Sequence, residues 1–187
     1  MTLAYVFWHW KQASVDRAEY ERRQAAFHAA LAAAPSDGFV ASLSVSVTAA
    51  PWAAQGGEAY EDWYLVRDWS AIGALNEAAV SASRAASHDA AAAAVADGTA
   101  GLYGLKLGTP LPAPRAAHWF AKPAGMRYDE LLRLLSPLVD SSRGALWMRQ
   151  MTLGPAREFC LHAQAAVALP APLAPLVFPL RPTWPAP

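Results

Sequence analysis

The sequence predicts an α+β protein in which one complete βαββαβ unit is followed by a shortened βαββ copy. Three observations carry this expectation. Alternating and helical hydrophobic periods succeed one another in that order from residue 3 to residue 107. A proline-rich stretch at 108–114 interrupts the chain, and an aromatic strand, a helix and a hairpin resume beyond it. Finally, 55% of the 187 residues are hydrophobic and 16% charged, which supplies enough apolar surface to bury a core.

Residues 3–10 are β-branched and aromatic on both alternating faces, Tyr5, Phe7 and His9 on one and Val6, Trp8 and Trp10 on the other, which predicts a strand covered from two sides. Asp16-x-x-Glu19 has the form of a capping box and starts a helix whose stripe is Tyr20, Gln24, Phe27, Leu31 and Ala34, with His28 pointing elsewhere. Pro35 to Gly38 stops it. From Phe39 to Thr48, Phe39, Ala41, Leu43, Val45 and Val47 alternate with Ser42, Ser44, Ser46 and Thr48, giving one greasy face and one hydroxyl face that is read as solvated. A connection containing Pro51 and Gly56-Gly57 leads to a strand at 60–67. Asp68 or Ser70 caps a second helical region, which runs on toward Val95 with a break near Ser81 to Ser83 and stops at Asp97-Gly98. Residues 99–107 form the fourth strand.

Residues 109–116 read as a stiff linker between a first unit, 1–108, and a partial repeat, 117–168. In the repeat, His118 to Lys122 is a strand and the helix that follows carries Leu131, Leu132, Leu135, Leu138 and Val139, bent or shortened at Pro137. A hairpin at 146–153 and 158–167 turns through Gly154 to Arg157. The prolines of 169–187 argue against regular structure there. That tail is expected either to lie extended over a neighbour, given Leu173, Leu176, Val177, Phe178 and Trp184, or to be poorly ordered.

Acidic and basic residues balance at 15 each, so no net field draws the chain to nucleic acid or to a membrane surface. One cysteine, Cys160, excludes an internal disulfide framework and predicts a reducing compartment, the cytoplasm. The start of the sequence has no signal-peptide pattern, and no stretch reads as a membrane span. Phosphate loops, dinucleotide fingerprints and a Gly-x-Ser-x-Gly elbow are absent from the sequence, which disfavours nucleotide-dependent enzymes and serine hydrolases.

The ferredoxin-like element order, the aromatic first strand, the Tyr60 to Val66 strand and the partial repeat together resemble the dimeric α/β-barrel superfamily over residues 3–167. That superfamily includes antibiotic-biosynthesis-type monooxygenases, EthD-like proteins, stress-responsive barrel proteins and chlorite-dismutase-like haem proteins. The resemblance implies antiparallel sheets packed as an α/β barrel, with helices on one face and, on the other, a second sheet from a homodimer partner or a tandem repeat. It also implies, through haem-degrading relatives with a helical histidine, a tryptophan and an asparagine, that His88, Trp63 or Trp69, and Asn76 are available in kind.

His9 and His118 occupy comparable places on the first strands of the two copies, among Trp8, Trp10 and Trp119, and suit a general base or a ligand hydrogen bond as well as a satisfied core histidine. Asp62, between aromatics, is a candidate proton acceptor if packing raises its pKa. Arg149 either recognises an anion or pairs with Glu158. Cys160 and His162 share a strand face without a third metal ligand in sight. The expectation is an aromatic-lined cavity between sheets that binds a small apolar or aromatic molecule, with His9 and Asp62 as catalytic groups and Trp8, Trp10, Trp63, Tyr64, His118 and Arg149 as ligand contacts. The chemistry would be a cofactor-independent monooxygenase-like or proton-shift reaction. The rival readings are a non-catalytic dimerisation domain and a haem-binding protein; no metal ligand set is assigned.

Overall fold

Strand β1 (Leu3–Lys11) lies near the middle of one nine-stranded, wholly antiparallel sheet, and every other element can be placed from it. A computed structural model describes residues 1–48, 50–52, 58–151 and 156–185. Gly56-Gly57 and Gly154-Pro155, assigned above to hairpin connections, lie outside the described residues. The chain continues through α1 (Arg17–Ala33), β2 (Phe39–Thr48), β3 (Glu58–Val66), α2 (Trp69–Ala79), α3 (Ala85–Ala92) and β4 (Val95–Gly108). Then come β5 (Ala116–Phe120), α4 (Tyr128–Ser142), β6 (Ala145–Met151), β7 (Phe159–Ala163), β8 (Leu176–Pro179) and β9 (Arg181–Trp184). The sheet order is β8-β5-β7-β6-β4-β1-β3-β2-β9, so the order β4-β1-β3-β2 in the first half is matched by β8-β5-β7-β6 in the second. The halves join where β6 pairs with β4.

The sheet curls into a nearly closed barrel because its two ends are bridged by one stretch of chain. Strand β8 pairs with the free edge of β5, strand β9 pairs with the free edge of β2, and Leu180 between them donates its N–H to Arg115 O at 2.8 Å. The proline-rich tail thus holds two short strands, contrary to the expectation that its prolines exclude them. Proline lacks only its own donor, so it is tolerated on a strand edge that faces no partner. Covering the β5 and β2 edges leaves two short, proline-bearing strands as the outer edges, which are poorer templates for association.

The period of two along each strand divides the molecule into an inside and an outside. Inside are Ala4, Val6, Trp8, Leu43, Val45, Val47, Trp63, Leu65, Tyr103, Trp119, Trp147, Cys160 and Phe178, in one continuous core. Outside the first half, α1, α2 and α3 cover Leu3, Tyr64 and Val66; outside the second, α4 lays Leu131, Leu135 and Val139 over Leu146, Phe159 and Leu161. The expected double covering of the first strand is therefore met within one chain. Among the described residues no helix is long and apolar enough to cross a membrane.

Several local expectations are corrected. The second helical region ends at Ala92, and Asp97-Gly98 lie inside β4. A Cβ at Gly98 would come within 2.5 Å of the Phe7 ring, so glycine here allows the ring to rest on the backbone. A bulge between Phe39 and Ala41 turns Phe39 to the helix side, away from Leu43. The hydroxyl face of β2 is solvated only at its end: Thr48 is exposed, whereas Ser44 and Ser46 are buried, with β9 paired along the strand edge and α1 packed against the strand. Helix α4 runs through Pro137 to Ser142 and ends at Arg143, whose φ is +49°. Asp16 caps α1 by accepting from Glu19 N at 2.9 Å, whereas the Glu19 carboxylate turns to Arg22 and Arg23 instead of completing the box.

Candidate functional site

The outer face of β1 and β3 carries a cluster of polar groups that are almost entirely removed from water. His9, His28, Asp62 and Tyr20 are each at most 1% exposed. His28 was expected to point away from the core. The buried positions of α1 are Tyr20, Gln24, Phe27, His28 and Leu31, spacings of four, seven, eight and eleven from the first. That is the ordinary width of an apolar helix face, and a stripe drawn one residue wider would have included the histidine.

Asp62 Oδ2 is the centre of the cluster. His9 Nε2 stands 3.1 Å from it, His28 Nε2 3.4 Å, and the Tyr64 hydroxyl donates to it at 3.0 Å. The two imidazole nitrogens approach off the line of a good hydrogen bond, so those contacts are chiefly electrostatic. On their far sides, His9 Nδ1 is bonded to the Tyr20 hydroxyl and His28 Nδ1 meets Ser42 Oγ at 2.8 Å. Burial by itself would raise the Asp62 pKa; the neighbouring His9 and His28 outweigh it and hold the carboxyl well below its ordinary range. The expectation of an acid raised by aromatic packing is therefore reversed in sign. Tyr64 moves the other way: burial first, then the Asp62 charge, pushes its hydroxyl well above the usual value.

Beside Asp62 is a cavity of about 700 Å³ between the sheet and helices α1 to α3. Its walls are largely apolar, from Tyr5, Phe7, Phe27, Leu31, Ile72 and Leu75. Two of its lining residues carry a buried polar atom without a hydrogen bond of good geometry in the protein, Asp62 Oδ1 and Gln24 Nε2, the latter beside the Tyr20 hydroxyl. Buried polar atoms are nearly always paired, so an acceptor and a donor left over on two residues that line one cavity make this the candidate site. The cavity lies between sheet and helices, not between sheets as expected, because the barrel interior is filled by indoles.

The other anticipated residues scatter. Trp8 and Trp63 are inside the barrel and Trp10 packs against that interior, all on the face opposite Asp62. Tyr64 lines the cavity with Asp62. His118 lies outside β5 with both nitrogens engaged: Nδ1 pairs with Leu161 O at 3.2 Å and Nε2 accepts from Val167 N at 2.9 Å, so it pins the segment after β7. Burial lowers its pKa, which suits this neutral clamp. Arg149 Nη1 donates to Ala156 O at 2.7 Å, while Glu158 accepts instead from the Tyr128 hydroxyl at 2.6 Å. Cys160 and His162 do share the inner face, but burial pushes the thiol well up and the imidazole down to about 3, so they form no thiolate–imidazolium pair. Of the residues suggested by haem-degrading relatives, His88 and Asn76 line the cavity, whereas Trp63 faces the barrel interior and Trp69 is 47% exposed. That constellation is not assembled. Among the described residues no three His, Cys, Asp or Glu side chains are arranged to hold a metal.

Glu61, one position from Asp62, faces the opposite way, into the barrel. Trp63 Nε1 donates to its Oε2 at 3.3 Å; the Trp8 and Trp119 indoles favour its ionised form without reaching hydrogen-bond geometry. Burial dominates and pushes its pKa up to about 7. The alternation Ala59, Glu61, Trp63, Leu65 placed a carboxyl on an apolar face, a signal that could have been read from the sequence.

Comparison with known proteins finds likeness in shape alone. No family model matches the chain, and no curated protein sequence matches it. A solved structure from Lactobacillus acidophilus named "putative monooxygenase" superposes with a TM-score of 0.60 at 13% identity, covering 98% of this chain and 95% of its own. Another of the same name, from Fusobacterium nucleatum, gives 0.61 at 8% identity, covering 87% of this chain and 74% of its own. These likenesses show a shared barrel-like α+β fold.

Proposed function

We propose that the chain binds a flat, mainly apolar small molecule in the cavity between the sheet and α1 to α3 and removes a proton from it at Asp62. The observation that carries this is the unpaired Asp62 Oδ1 and Gln24 Nε2 on residues that line one largely apolar cavity. A ligand with a carbonyl for Gln24 and an O–H or acidified C–H for Asp62 satisfies both. A carboxylate held so acidic is a weak base, so it accepts a hydrogen bond from the ligand at Oδ1 and takes the proton as the ligand is acidified, while the imidazoles of His9 and His28 at Oδ2 stabilise the negative charge left in the site. The Tyr20 and Ser42 hydroxyls behind the two imidazoles adjust their own protons to suit. The monooxygenase-like extension takes a CH2 activated by a neighbouring carbonyl. Its carbanion would react with dioxygen to give a carbonyl and water, a balance that needs no external reductant.

The matching strand orders support reading the chain as two ferredoxin-like units in tandem, the second missing its second helix, with β8 in the place that β4 holds in the first. The tandem arrangement would supply within one chain the second sheet that dimeric relatives take from a partner.

The test uses naphthol against methoxynaphthalene, which has the same rings without the acidic proton. Naphthol should bind about tenfold more tightly, and Asp62→Asn should abolish the difference, since a hydrogen bond to a charged acceptor contributes roughly 1.5–3 kcal/mol. Equal affinity of the wild-type protein for the two probes, measured by fluorescence titration, would remove the reading.

A further inference from the structure

We infer that the C-terminal strand is a positioning element of the Asp62 site, acting through Trp184, which holds the His28 imidazole against the carboxylate. This rests on the cavity reading above, although its central measurement does not. His28 hangs from α1 by two rotatable bonds, so nothing in the helix alone aims Nε2 at Asp62. The aiming comes from stacking. The Tyr64 ring lies nearly parallel to the imidazole, 12° between planes and 5.2 Å between centroids, and the Trp184 indole does the same at 14° and 6.2 Å. Tyr64 belongs to β3 and Trp184 to β9, so the imidazole is held between a central strand and the tail. With the plane set, Nδ1 meets Ser42 and Nε2 meets Asp62.

Three consecutive anchors bring Trp184 there. Arg181 reaches Glu21, which also accepts from the Tyr60 hydroxyl at 2.9 Å; Pro182 is buried opposite Val45; and Thr183 Oγ1 donates to Ser44 Oγ at 2.9 Å. Ser42 and Ser44 thus serve adjacent tasks on one strand face, the first holding the imidazole and the second holding the strand that clamps it. The residue furthest in sequence from the site therefore completes its second imidazole. Trp184 meets the site through the His28 ring, so its role is orientation and not proton transfer.

The experiment compares wild type, Trp184→Leu and Trp184→Phe. Leucine keeps apolar bulk without a flat face, and phenylalanine restores the face. Nitrogen NMR of the labelled imidazoles, with His28 assigned by its loss in His28→Gln, reads which ring nitrogen carries the proton. In the wild type the two nitrogens of His28 should give distinct signals, because each meets a different fixed partner. In Trp184→Leu the two should average toward each other and the preference for naphthol should fall about threefold, with both effects largely reversed in Trp184→Phe. A Trp184→Leu spectrum with His28 signals identical to wild type overturns the inference. If those signals average while Asp62→Asn leaves naphthol binding unchanged, the clamp stands and the assigned function falls.

Discussion

Trp119→Ala should destabilise the protein by about 3–5 kcal/mol, the cost expected when a fully buried large aromatic is truncated in a core that cannot collapse around it. Trp119 is 0% exposed on β5 and lies at the centre of the barrel. Its ring meets Trp8 at 5.5 Å, Trp52 at 5.3 Å, Trp63 at 6.1 Å and Tyr103 at 5.5 Å between centroids. Several of these are edge-on pairs, which add about 0.5–1.5 kcal/mol each beyond area burial. Rigid strands on every side limit relaxation, so the variant should keep most of the space as a cavity. Urea unfolding reads the loss as a lower midpoint at unchanged slope. A loss below about 1 kcal/mol would mean that the interior is loosely packed and that the barrel description is wrong.

Glu61→Gln should change stability by an amount that depends on pH. The folded carboxyl titrates at about 7 against an ordinary value of 4.5. Because the folded pKa is raised, the native state keeps the proton longer than the unfolded chain. The corresponding stability is fully present below about 4.5 and is lost as pH rises through about 7. The whole difference is worth about 3 kcal/mol. Glutamine keeps the shape and cannot ionise, so the variant should gain on the wild type by up to that amount between pH 5 and pH 8. Cys160 and Tyr103, which feel the Glu61 charge, are both pushed up by burial, and groups away from Glu61 cancel in the comparison. Stability profiles that run parallel across this range would show that Glu61 does not ionise against a low-dielectric interior. Tryptophan emission offers a second readout, since the carboxyl sits among Trp8, Trp63 and Trp119.

Glu61 and Asp62 also show what alternation does to chemistry. Adjacent carboxyls on one strand face opposite sides of the sheet; one is held down by two histidines, the other pushed up among indoles. Asp62 could be picked from the sequence because it stands between aromatics, and His9 because it shares a strand face with Tyr5 and Phe7. Their approach to 3.1 Å could not, since it depends on the register that sets Phe7 opposite Asp62 and His9 opposite Tyr60. His28 was within reach of a wider helical stripe. Tyr20, Gln24 and Trp184 acquire their roles only from where α1 and β9 come to rest.

By itself the sequence determined the order and kind of the elements through Val66 closely, and the inward and outward faces of β1, because hydrophobic period and capping residues are local properties. Tertiary structure alone decided that the aromatic face is covered within the same chain, that the cavity lies under the helices, and that a proline-rich tail closes the sheet. Each of these depends on pairing between strands far apart in the chain. A strand's hydrogen-bonding edge looks the same in sequence whatever partner it meets, so only the assembled sheet selects which one it is.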